Sequence, residues 1–538
     1  MAISRWQEFV PEVYRVLRGG YSFSSFRKDL MAGLTVGILA IPIALAFAIS
    51  SGVSPEQGLY TAIIGGFLVS LFSGSRVQIG GPGAVLVLIT FQIMQKSGYQ
   101  TLCLSMLAAS IFLLVFGILK LGSWIKYVPT SVIIGCTSGI AVSIFSLQIT
   151  DFLGLRIQNP AHSFIGHWTS YYNAFSTLNV YTTLLGVGSI GVIIFLRSKT
   201  PKIPWGLTVI GLGIAVCFFF DLPVETIGSH FGKMKTRLPS PTFPSFAISM
   251  SELMDVLTNG LIIAFLAGVE SLISTLIGDG LIDRHPRSNC ELIAQGIANF
   301  GVALFGGIPE TGAIPRTCAN VQVGGRTPIA GIIHSLTVFC MLCVFSQVLD
   351  LIPLTTLAAI LIVVSYLISD VERFIPFVKA SYGEGFILLT TFLLTFLVGI
   401  QFSIIAGTFL STLLFMYQMS RRSKTKIKVL QKTSDLGIEV YEVQGPLFFG
   451  TTDLLKELPS SQVLILDMQF VPIIDASGMF ALHEFFLKCT KNGTHFILSG
   501  VHEKLREDIE QLGLIDMVHR DNIFSDMSLA LAKAKSLI

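Results

Sequence analysis

Two interrupted apolar segments carry residues suited to binding an anion. One segment opens at Gly81-Pro82-Gly83-Ala84 and the other at Thr311-Gly312-Ala313-Ile314. A helix that begins inside a membrane leaves its first backbone N–H groups free and has the positive end of its dipole there. Two such ends that face each other would bind an anion without a formal charge. The alternative interpretation is a pair of kinked helices whose glycines serve packing.

Glu270 is the candidate for binding a coupling ion. It lies near the centre of the apolar run LIIAFLAGVESLISTLIG, where an ionised and unpaired acid is costly. Binding a proton removes that cost, and Ser274 lies four residues later on the same face of the helix. The alternative is that Glu270 is a structural partner for a buried arginine or for a helix end.

Arg316 follows the second interrupted segment and leaves three interpretations open. It could bind the anion, pair with Glu270 or Glu310, or lie at the water boundary. His334 and Asn299 also lie in apolar runs. For these two residues, a core histidine with satisfied hydrogen bonds and an interhelical hydrogen bond are the simpler interpretations.

Composition excludes a large soluble enzyme and separates the chain into two parts. Of the 538 residues, 52% are hydrophobic and only 13% are charged, whereas soluble proteins have about a quarter charged residues. Residues 421–538 are the exception, with 14 Lys or Arg and 15 Asp or Glu. The net charge of +3 gives no indication of nucleic-acid binding. No constellation of catalytic, cofactor-binding or metal-ligating residues is visible, so we expect a membrane protein without enzymatic activity.

Fourteen apolar runs recur between residues 29 and 420, each long enough or nearly long enough to span a bilayer as a helix. Basic residues are enriched in the N-terminal arm and after the last run, which predicts cytoplasmic termini and a multi-pass protein of the plasma (inner) membrane. Gly83 and Gly312 lie at equivalent breaks in the two halves. Seven runs per half is an odd number, so the halves would run in opposite senses as an inverted repeat.

The tail after residue 436 has the pattern of a small α/β domain. Residues 438–443, 463–468 and 494–498 read as strands, and residues 480–489 have helical spacing. Asp475 and Ser477 lie where a strand turns into a helix. Asp475 could cap that helix, and Ser477 could accept a regulatory phosphate at its first turn. A plain cap and turn is the alternative.

These motifs together resemble those of the SulP anion permeases, the bacterial relatives of solute carrier family 26. The tail, with Asp-Ala-Ser-Gly at 475–478, resembles a STAS domain. The segments that carry the membrane resemblance are Asp-Leu-Met-Ala-Gly-Leu-Thr-Val-Gly at 29–37, Pro-Glu-Gln-Gly-Leu-Tyr-Thr at 55–61, Gly-Ser-Arg at 74–76, Gly-Pro-Gly-Ala at 81–84, Thr-Gly-Ala-Ile-Pro-Arg-Thr at 311–317 and Gly-Arg-Thr-Pro at 325–328.

The resemblance implies an architecture and a site. The architecture has fourteen transmembrane segments in two inverted seven-segment repeats, a core domain that moves against a gate domain, and usually a homodimer. Span eight carries an acid for cation coupling, here Glu270. Ile43 stands where many members have Gln, and Ile314 supplies no hydroxyl for sodium. The implied anion site between spans one, three and ten consists of Phe47, Gly83, Ala84, Gly312, Ala313 and Arg316.

The sequence therefore predicts a secondary active transporter of sulfate or another small oxyanion or carboxylate, coupled to protons. A sodium-dependent bicarbonate symporter of the same fold, a nucleobase permease and a membrane sensor with STAS output are the alternatives. A soluble partner could bind the STAS domain. The expected divisions are an N-terminal arm at 1–28, a transmembrane domain at 29–420, a basic linker at 421–436 and a STAS domain at 437–538.

Overall fold

The computed structural model describes residues 7–123, 129–157, 163–199, 205–245, 249–422, 426–433, 437–447, 461–511 and 520–538. The chain folds into two compact units, Met1–Thr408 and Phe409–Ile538. Residues 1–6 of the expected N-terminal arm, and residues 423–425 and 434–436 of the expected linker, lie outside the described residues.

The first unit is almost entirely helical, with one pair of very short strands, β1 (Gly80–Pro82) and β2 (Glu310–Gly312). A single-turn π-helix, Thr61–Gly65, joins α3 to α4. The helices are α1 (Glu12–Arg18), α2 (Phe23–Ser50), α3 (Pro55–Tyr60), α4 (Gly66–Phe72), α5 (Ala84–Ile118), α6 (Thr130–Leu153), α7 (Phe164–Ala174), α8 (Val180–Lys199), α9 (Trp205–Phe220), α10 (Ile227–Phe231), α11 (Met250–Gly280), α12 (Ser288–Leu304), α13 (Ile314–Val323), α14 (Ile329–Leu349), α15 (Leu354–Ile368), α16 (Val371–Ala380), α17 (Tyr382–Leu397) and α18 (Ile400–Arg422), whose residues from Phe409 onward belong to the second unit.

Within the described residues, eight helical stretches are long and apolar enough to cross a membrane. Two shorter apolar helices, Trp205–Phe220 and Tyr382–Leu397, accompany them. The expected count of fourteen spans is therefore not confirmed, although a predominantly helical, multi-pass architecture is. Large apolar side chains on the outside of the unit, such as Phe218, Phe219 and Phe220, suit contact with lipid.

Two long helices begin at side-chain caps. Ser22 starts α2 by accepting a hydrogen bond from the backbone N–H of Ser25. Ser249 starts α11 through a capping box, in which the Ser249 hydroxyl and the Glu252 carboxylate each accept from the other residue's backbone N–H. These caps satisfy N–H groups that would otherwise lack partners, so the start of each helix is fixed locally.

α5 contains a break at the place where two predicted apolar runs meet. Gly98 has φ 77° and ψ −178°, outside the helical region, and it divides α5 into residues 84–97 and 99–118. A non-glycine residue would be strained there because the left-handed region suits only a residue without Cβ. α5 packs against α11 and α12, and α2 packs against α14, α3 and α13, so these helices form the core of the unit.

The two short strands join the interrupted segments. β1 and β2 are antiparallel, with Gly80 opposite Gly312, Gly81 opposite Thr311 and Pro82 opposite Glu310. β1 leads directly into α5, and β2 leads directly into α13. Segments from distant parts of the sequence are thereby held side by side, and the starts of their two helices are brought to one place in the fold.

The second unit contains a four-stranded sheet of order β3 (Lys426–Thr433), β4 (Ile438–Gln444), β5 (Val463–Phe470), β6 (His495–Ser499). β3 and β4 are antiparallel, whereas the β4–β5 and β5–β6 pairs are parallel. The helices are α19 (Ala476–Lys491), α20 (Glu503–Gln511) and α21 (Met527–Ser536). The strands at 438–443, 463–468 and 494–498 are confirmed within one or two residues, and the helix at 480–489 is present but begins four residues earlier, at Ala476.

Both faces of this sheet are buried. Successive side chains of a strand point to opposite faces, so consecutive apolar residues in the central strands cover both faces. Leu464 and Leu466 pack on one face with Leu482 of α19. Val463 and Ile465 pack on the other with residues of α21. β3 lies within the segment that we expected to be a linker. Its lysines give the composition of a linker, but lysines are also typical of an edge strand, where they discourage pairing with another chain.

Candidate anion-binding site

The starts of α5 and α13 form the centre of the candidate site. Gly83 and Ala313 occupy the N-cap positions, and neither helix start has a side-chain cap, in contrast to α2 and α11. Gly83, Gly312 and Ala313 are buried, and Ala84 is partly buried. Because β1 and β2 pair directly before these helices, the positive ends of both dipoles lie in the same region. This arrangement suits a bound anion.

Arg316, in the first turn of α13, supplies a formal positive charge at this place. Its Nη2 donates a 2.5 Å hydrogen bond to the carbonyl oxygen of Pro82. Its Nη1 is buried and has no hydrogen-bond partner among the described residues. The guanidinium is therefore fixed through one arm by the opposite interrupted segment, while its other arm retains donors that a carboxylate or oxyanion could accept.

Two acids complete a charged cluster, which we define as Glu270, Glu310 and Arg316. Three glycine positions lie against these three side chains. A Cβ atom at Gly83 would lie 3.2 Å from Oε2 of Glu270, and one at Gly80 would lie 2.5 Å from Oε1 of Glu310. A Cβ atom at Gly81, which has φ +149°, would overlap Nη1 of Arg316. The glycines in β1 therefore allow charged groups to approach the backbone closely.

The two acids of this cluster lie close to Arg316 without bonding to it in the described part of the chain. Among the described residues, Arg316 forms no ion pair with Glu270 or Glu310. Oε2 of Glu270 and Oε2 of Glu310 are both buried without a hydrogen-bond partner from the described part of the chain. The three charged groups are close in the fold but leave polar atoms available to an ion.

A chain of buried hydrogen bonds leads away from the cluster. Nε2 of Gln78 donates to Oγ of Ser271 at 2.7 Å, and Ser271 donates to Oε1 of Glu291 at 2.8 Å. Glu291 also accepts hydrogen bonds from Ser73 and from Gln295. These residues connect segments near both interrupted helices, so the position of the β1–α5 segment depends on α11 and α12 as well.

The remaining residues expected at the site lie further from its centre or serve other contacts. The hydroxyl of Ser274 donates to Oγ1 of Thr317 at 3.0 Å, which joins α11 to α13. Phe47 is buried in α2, within the apolar core that includes Val85 and Leu86 of α5. Ser274 thus holds the second interrupted helix in place, and Phe47 forms an apolar wall next to the first one.

Ser477 lies in the other unit and does not belong to this site. It is exposed in the first turn of α19. Asp475 caps that helix by accepting a 2.7 Å hydrogen bond from the backbone N–H of Gly478. The cap predicted from the sequence is therefore present, and the Ser477 hydroxyl remains accessible to a modifying enzyme.

Gln78 and Ser271 were not predicted from the sequence, whereas Glu310 was noted there as a possible partner for Arg316. Ser271 follows Glu270 directly, but a serine in an apolar helix is too common to stand out. Gln78 and Glu310 gain significance only from the register of β1 and β2, which joins segments more than two hundred residues apart.

Comparison with known proteins assigns the family. The model of the sulfate permease family matches residues 26–391, and that of the STAS domain matches residues 429–530. The chain belongs to the sulfate permease family. This permease is 36% identical over 519 residues to the YvdB protein of Bacillus subtilis (strain 168), covering 94% of this chain and 97% of that protein. It is 27% identical over 542 residues to the bicarbonate transporter BicA of Picosynechococcus sp., covering 95% of each chain.

Solved structures agree with the fold of the permease. The transmembrane domain of a cyanobacterium bicarbonate transporter BicA matches with a TM-score of 0.64 at 30% identity, covering 72% of this chain and 98% of that one. Murine Solute Carrier 26 family member A9, in the inward-facing state, matches with a TM-score of 0.85 over 100% of this chain and 96% of that one. At 18% identity, the second match concerns the fold alone. The resemblance stated from the sequence is confirmed, as is the STAS domain of the tail.

Proposed function

We propose that this protein is a secondary active transporter that carries a small oxyanion, such as sulfate, or a small carboxylate together with protons across the plasma membrane. The observation that carries this proposal is the free Nη1 of Arg316 beside two paired, uncapped helix starts. Backbone N–H groups and one guanidinium arm are the donors that an oxyanion requires. The site residues would be Phe47, Gly83, Ala84, Gly312, Ala313 and Arg316.

Proton coupling is favoured over sodium coupling by the chemistry around Glu270. A proton needs a single basic oxygen, and Oε2 of Glu270 is buried without a partner among the described residues. A sodium ion needs several oxygen ligands at once. Ile314 supplies no hydroxyl oxygen for such an ion. In this proposal Glu270 binds the coupling proton, and Ser274 acts by positioning α13.

The proposal includes alternating access by an inverted repeat. Antiparallel pairing of β1 with β2 supports two halves that run in opposite senses through the membrane. Both termini would be cytoplasmic, the protein would act as a homodimer, and the STAS domain would be a regulatory module. Ser477 could be phosphorylated there, or the domain could bind a soluble partner. The proposed domain boundaries lie after residues 28, 420 and 436.

A sodium-dependent bicarbonate symporter is the second candidate. It is favoured by the relative named bicarbonate transporter BicA, which aligns over 95% of both chains. The Bos taurus relative, 27% identical over 521 residues, is named a sodium-independent sulfate anion transporter, which supports the first candidate. The two candidates differ in both substrate and driving ion, so one transport experiment separates them.

The test is uptake of labelled sulfate, bicarbonate and dicarboxylates into proteoliposomes under imposed pH or sodium gradients. We expect an inward proton gradient to accelerate uptake and a sodium gradient to have no effect. Glu270→Gln has nearly the size of the protonated acid, so it should bind the anion but lose acceleration by the pH gradient. Glu372→Gln, which changes an exposed acid in α16, is the matched control.

Two results would refute parts of the proposal. Sodium-driven uptake that is insensitive to pH would favour the bicarbonate symporter. No flux of any anion, in protein that is folded and correctly inserted, would favour the sensor hypothesis over transport altogether.

A further inference from the structure

Glu310 is a second acid of the charged cluster, and the coupling scheme above gives it no role. It lies on β2 opposite Pro82 of β1 and has no exposed surface. Its Oε1 accepts a 3.2 Å hydrogen bond from the backbone N–H of Gly81. Its Oε2 is buried and lacks a hydrogen-bond partner in the described part of the chain. One oxygen is thus fixed, and the other is available to a proton.

Packing prevents Glu310 from reaching water by rotating its side chain. A Cβ atom at Gly65, in the π-helix, would overlap Cγ of Glu310, and one at Gly80 would lie 2.5 Å from Oε1. The carboxyl group therefore fills a slot between two glycine backbones. A carboxylate that cannot be solvated is stabilised by hydrogen-bond donors, by a nearby positive charge or by a bound proton, and Oε2 of Glu310 has no donor among the described residues.

The charged groups around Glu310 come from every helix packed against β2 and from α13. They are Glu270 on α11, Glu291 on α12 and Arg316 on α13. The π-helix and β1 contribute no titratable side chain. His334 of α14 is a further buried titratable group near Arg316. The surroundings of Glu310 therefore hold one arginine against two other acids.

Charge balance then decides how the cluster can accept an anion. Both oxygens of Glu291 already accept hydrogen bonds, from Ser73, Ser271 and Gln295, so this acid has a hydrogen-bonding environment of its own. Arg316 can offset only one of the two remaining acids. An anion that enters beside Arg316 would meet a net negative cluster with both acids ionised, a neutral one with one acid protonated, and a net positive one only when both Glu270 and Glu310 are neutral.

We propose that Glu310 is a second proton-binding residue, and that the protein carries two protons with each anion, one on Glu270 and one on Glu310. In the state that opens the site to the side where the anion enters, water reaches the site and Oε2 of Glu310 takes a proton from it. The O–H bond breaks, and the proton leaves, on the side where the anion departs. A divalent oxyanion would then move without net charge. This inference depends on the proposed proton-coupled transport.

Glu310→Gln tests the inference with little disturbance of the fold. The amide oxygen of glutamine can still accept from Gly81, and its NH₂ group occupies the place of Oε2, which bonds to no described group. The first measurement is the proton-to-anion ratio in proteoliposomes, obtained from internal pH and labelled sulfate uptake together. We expect about two protons per sulfate in the wild type and about one in Glu310→Gln.

The second measurement is the pH dependence of sulfate binding to purified protein. Where both acids are ionised in the free protein, linkage weakens wild-type binding about 100-fold per pH unit and Glu310→Gln binding about tenfold per pH unit. Glu372→Gln should behave as the wild type. Glu310→Asp, which keeps an acid on a shorter stem, should retain the two-proton ratio at a lower rate. It therefore separates loss of the proton from damage to the slot.

The outcomes distinguish this inference from the proposed function. Proton-coupled uptake whose ratio and pH slope are unchanged in Glu310→Gln would overturn the role of Glu310 and leave proton-coupled transport intact. A wild-type ratio of about one would also overturn it. Uptake of sulfate without any proton movement would instead refute the coupling half of the proposed function.

Discussion

Arg316 and Pro82 are joined by a 2.5 Å hydrogen bond from the guanidinium Nη2 to the proline carbonyl oxygen. The bond links the first turn of α13 to the strand that precedes α5. Pro82 has no N–H of its own, and its carbonyl is the last acceptor before the Gly83 N-cap. The two interrupted segments therefore share one cation, and a movement of either segment changes the environment of Arg316.

The first prediction concerns the geometry of this guanidinium. In Arg316→Lys the charge remains, but a single ammonium cannot both bond the Pro82 carbonyl and present a separate arm to an anion. We expect sulfate affinity to fall about 10- to 100-fold, as for loss of a charged hydrogen bond. Equilibrium binding of labelled sulfate measures this. Arg373→Lys, at an exposed position in α16, is the control, and equal affinity in both variants would contradict a direct role for Arg316.

The second prediction concerns the close approach of Gly312 to Gln78. A Cβ atom at Gly312 would overlap Nε2 of Gln78, so even alanine must displace that side chain and its bond to Ser271. A larger residue such as leucine would disturb folding as well as anion binding. We expect Gly312→Ala to lower both the thermal stability and the anion affinity, whereas Gly188→Ala, which meets nothing within 4 Å, should not.

Removal of the obstructing side chain provides the internal check on this prediction. Gln78→Ala eliminates the atoms that a Cβ at Gly312 would meet, so the double variant should unfold at a higher temperature than Gly312→Ala alone. Thermal unfolding in detergent measures the coupling between the two positions. Purely additive effects would show that the overlap does not determine the cost.

The two interrupted segments could be predicted because their signal is local. Glycine, alanine and proline at a break in an apolar run mark a helix start, and one acid inside an apolar helix stands out without any partner. The strands of the tail were equally accessible, since β4 shows alternation and β5 shows a short buried apolar run within a few consecutive residues. Features of this kind need no knowledge of distant contacts.

The rest of the site depends on contacts that no local pattern contains. Gln78 reaches Ser271, and Glu310 accepts from Gly81, only because β1 and β2 pair in one register. β3 was missed for another reason. Its lysines make the segment polar overall, so its two alternating apolar residues do not indicate a strand. It forms a strand because it pairs with β4. The fourteen-run estimate separated the two parts of α5, and the non-helical backbone at Gly98 divides them in the structure.

The third prediction concerns the division of labour between the two units. β3 begins at Lys426, so a chain that ends at Arg422 removes the whole sheet without leaving half of a strand. We expect this truncation to insert into membranes and to keep the anion preference of the full chain, with an altered rate or assembly. Competition among labelled anions in proteoliposomes measures the preference. A truncated protein that inserts and selects a different anion would refute the division.

The last prediction concerns the attachment of the N-terminal arm to the helical unit. Glu12 of α1 forms a 2.6 Å ion pair with Nη2 of Arg287 and a 3.2 Å ion pair with Nε of Arg76. The Arg287 side chain is only 9% exposed. Burial lowers the pKa of the Arg287 guanidinium from its ordinary value, and the Glu12 carboxylate opposes that shift. Glu12 therefore stabilises a cation that the fold holds largely away from water.

Glu12→Gln keeps the size of the side chain and removes its charge. We expect a loss of about 1–3 kcal/mol in the free energy of unfolding, between the values for exposed and for buried ion pairs. Asp255→Asn is the matched control, because its pair with Lys96 is largely exposed and should contribute less than about 1 kcal/mol. Adding Arg287→Met to Glu12→Gln should recover part of the loss, since the largely buried cation that Glu12 balanced is then gone. Denaturant unfolding of the four proteins in detergent gives the comparison. Equal stability of Glu12→Gln and Asp255→Asn would show that the arm is not held by its charge.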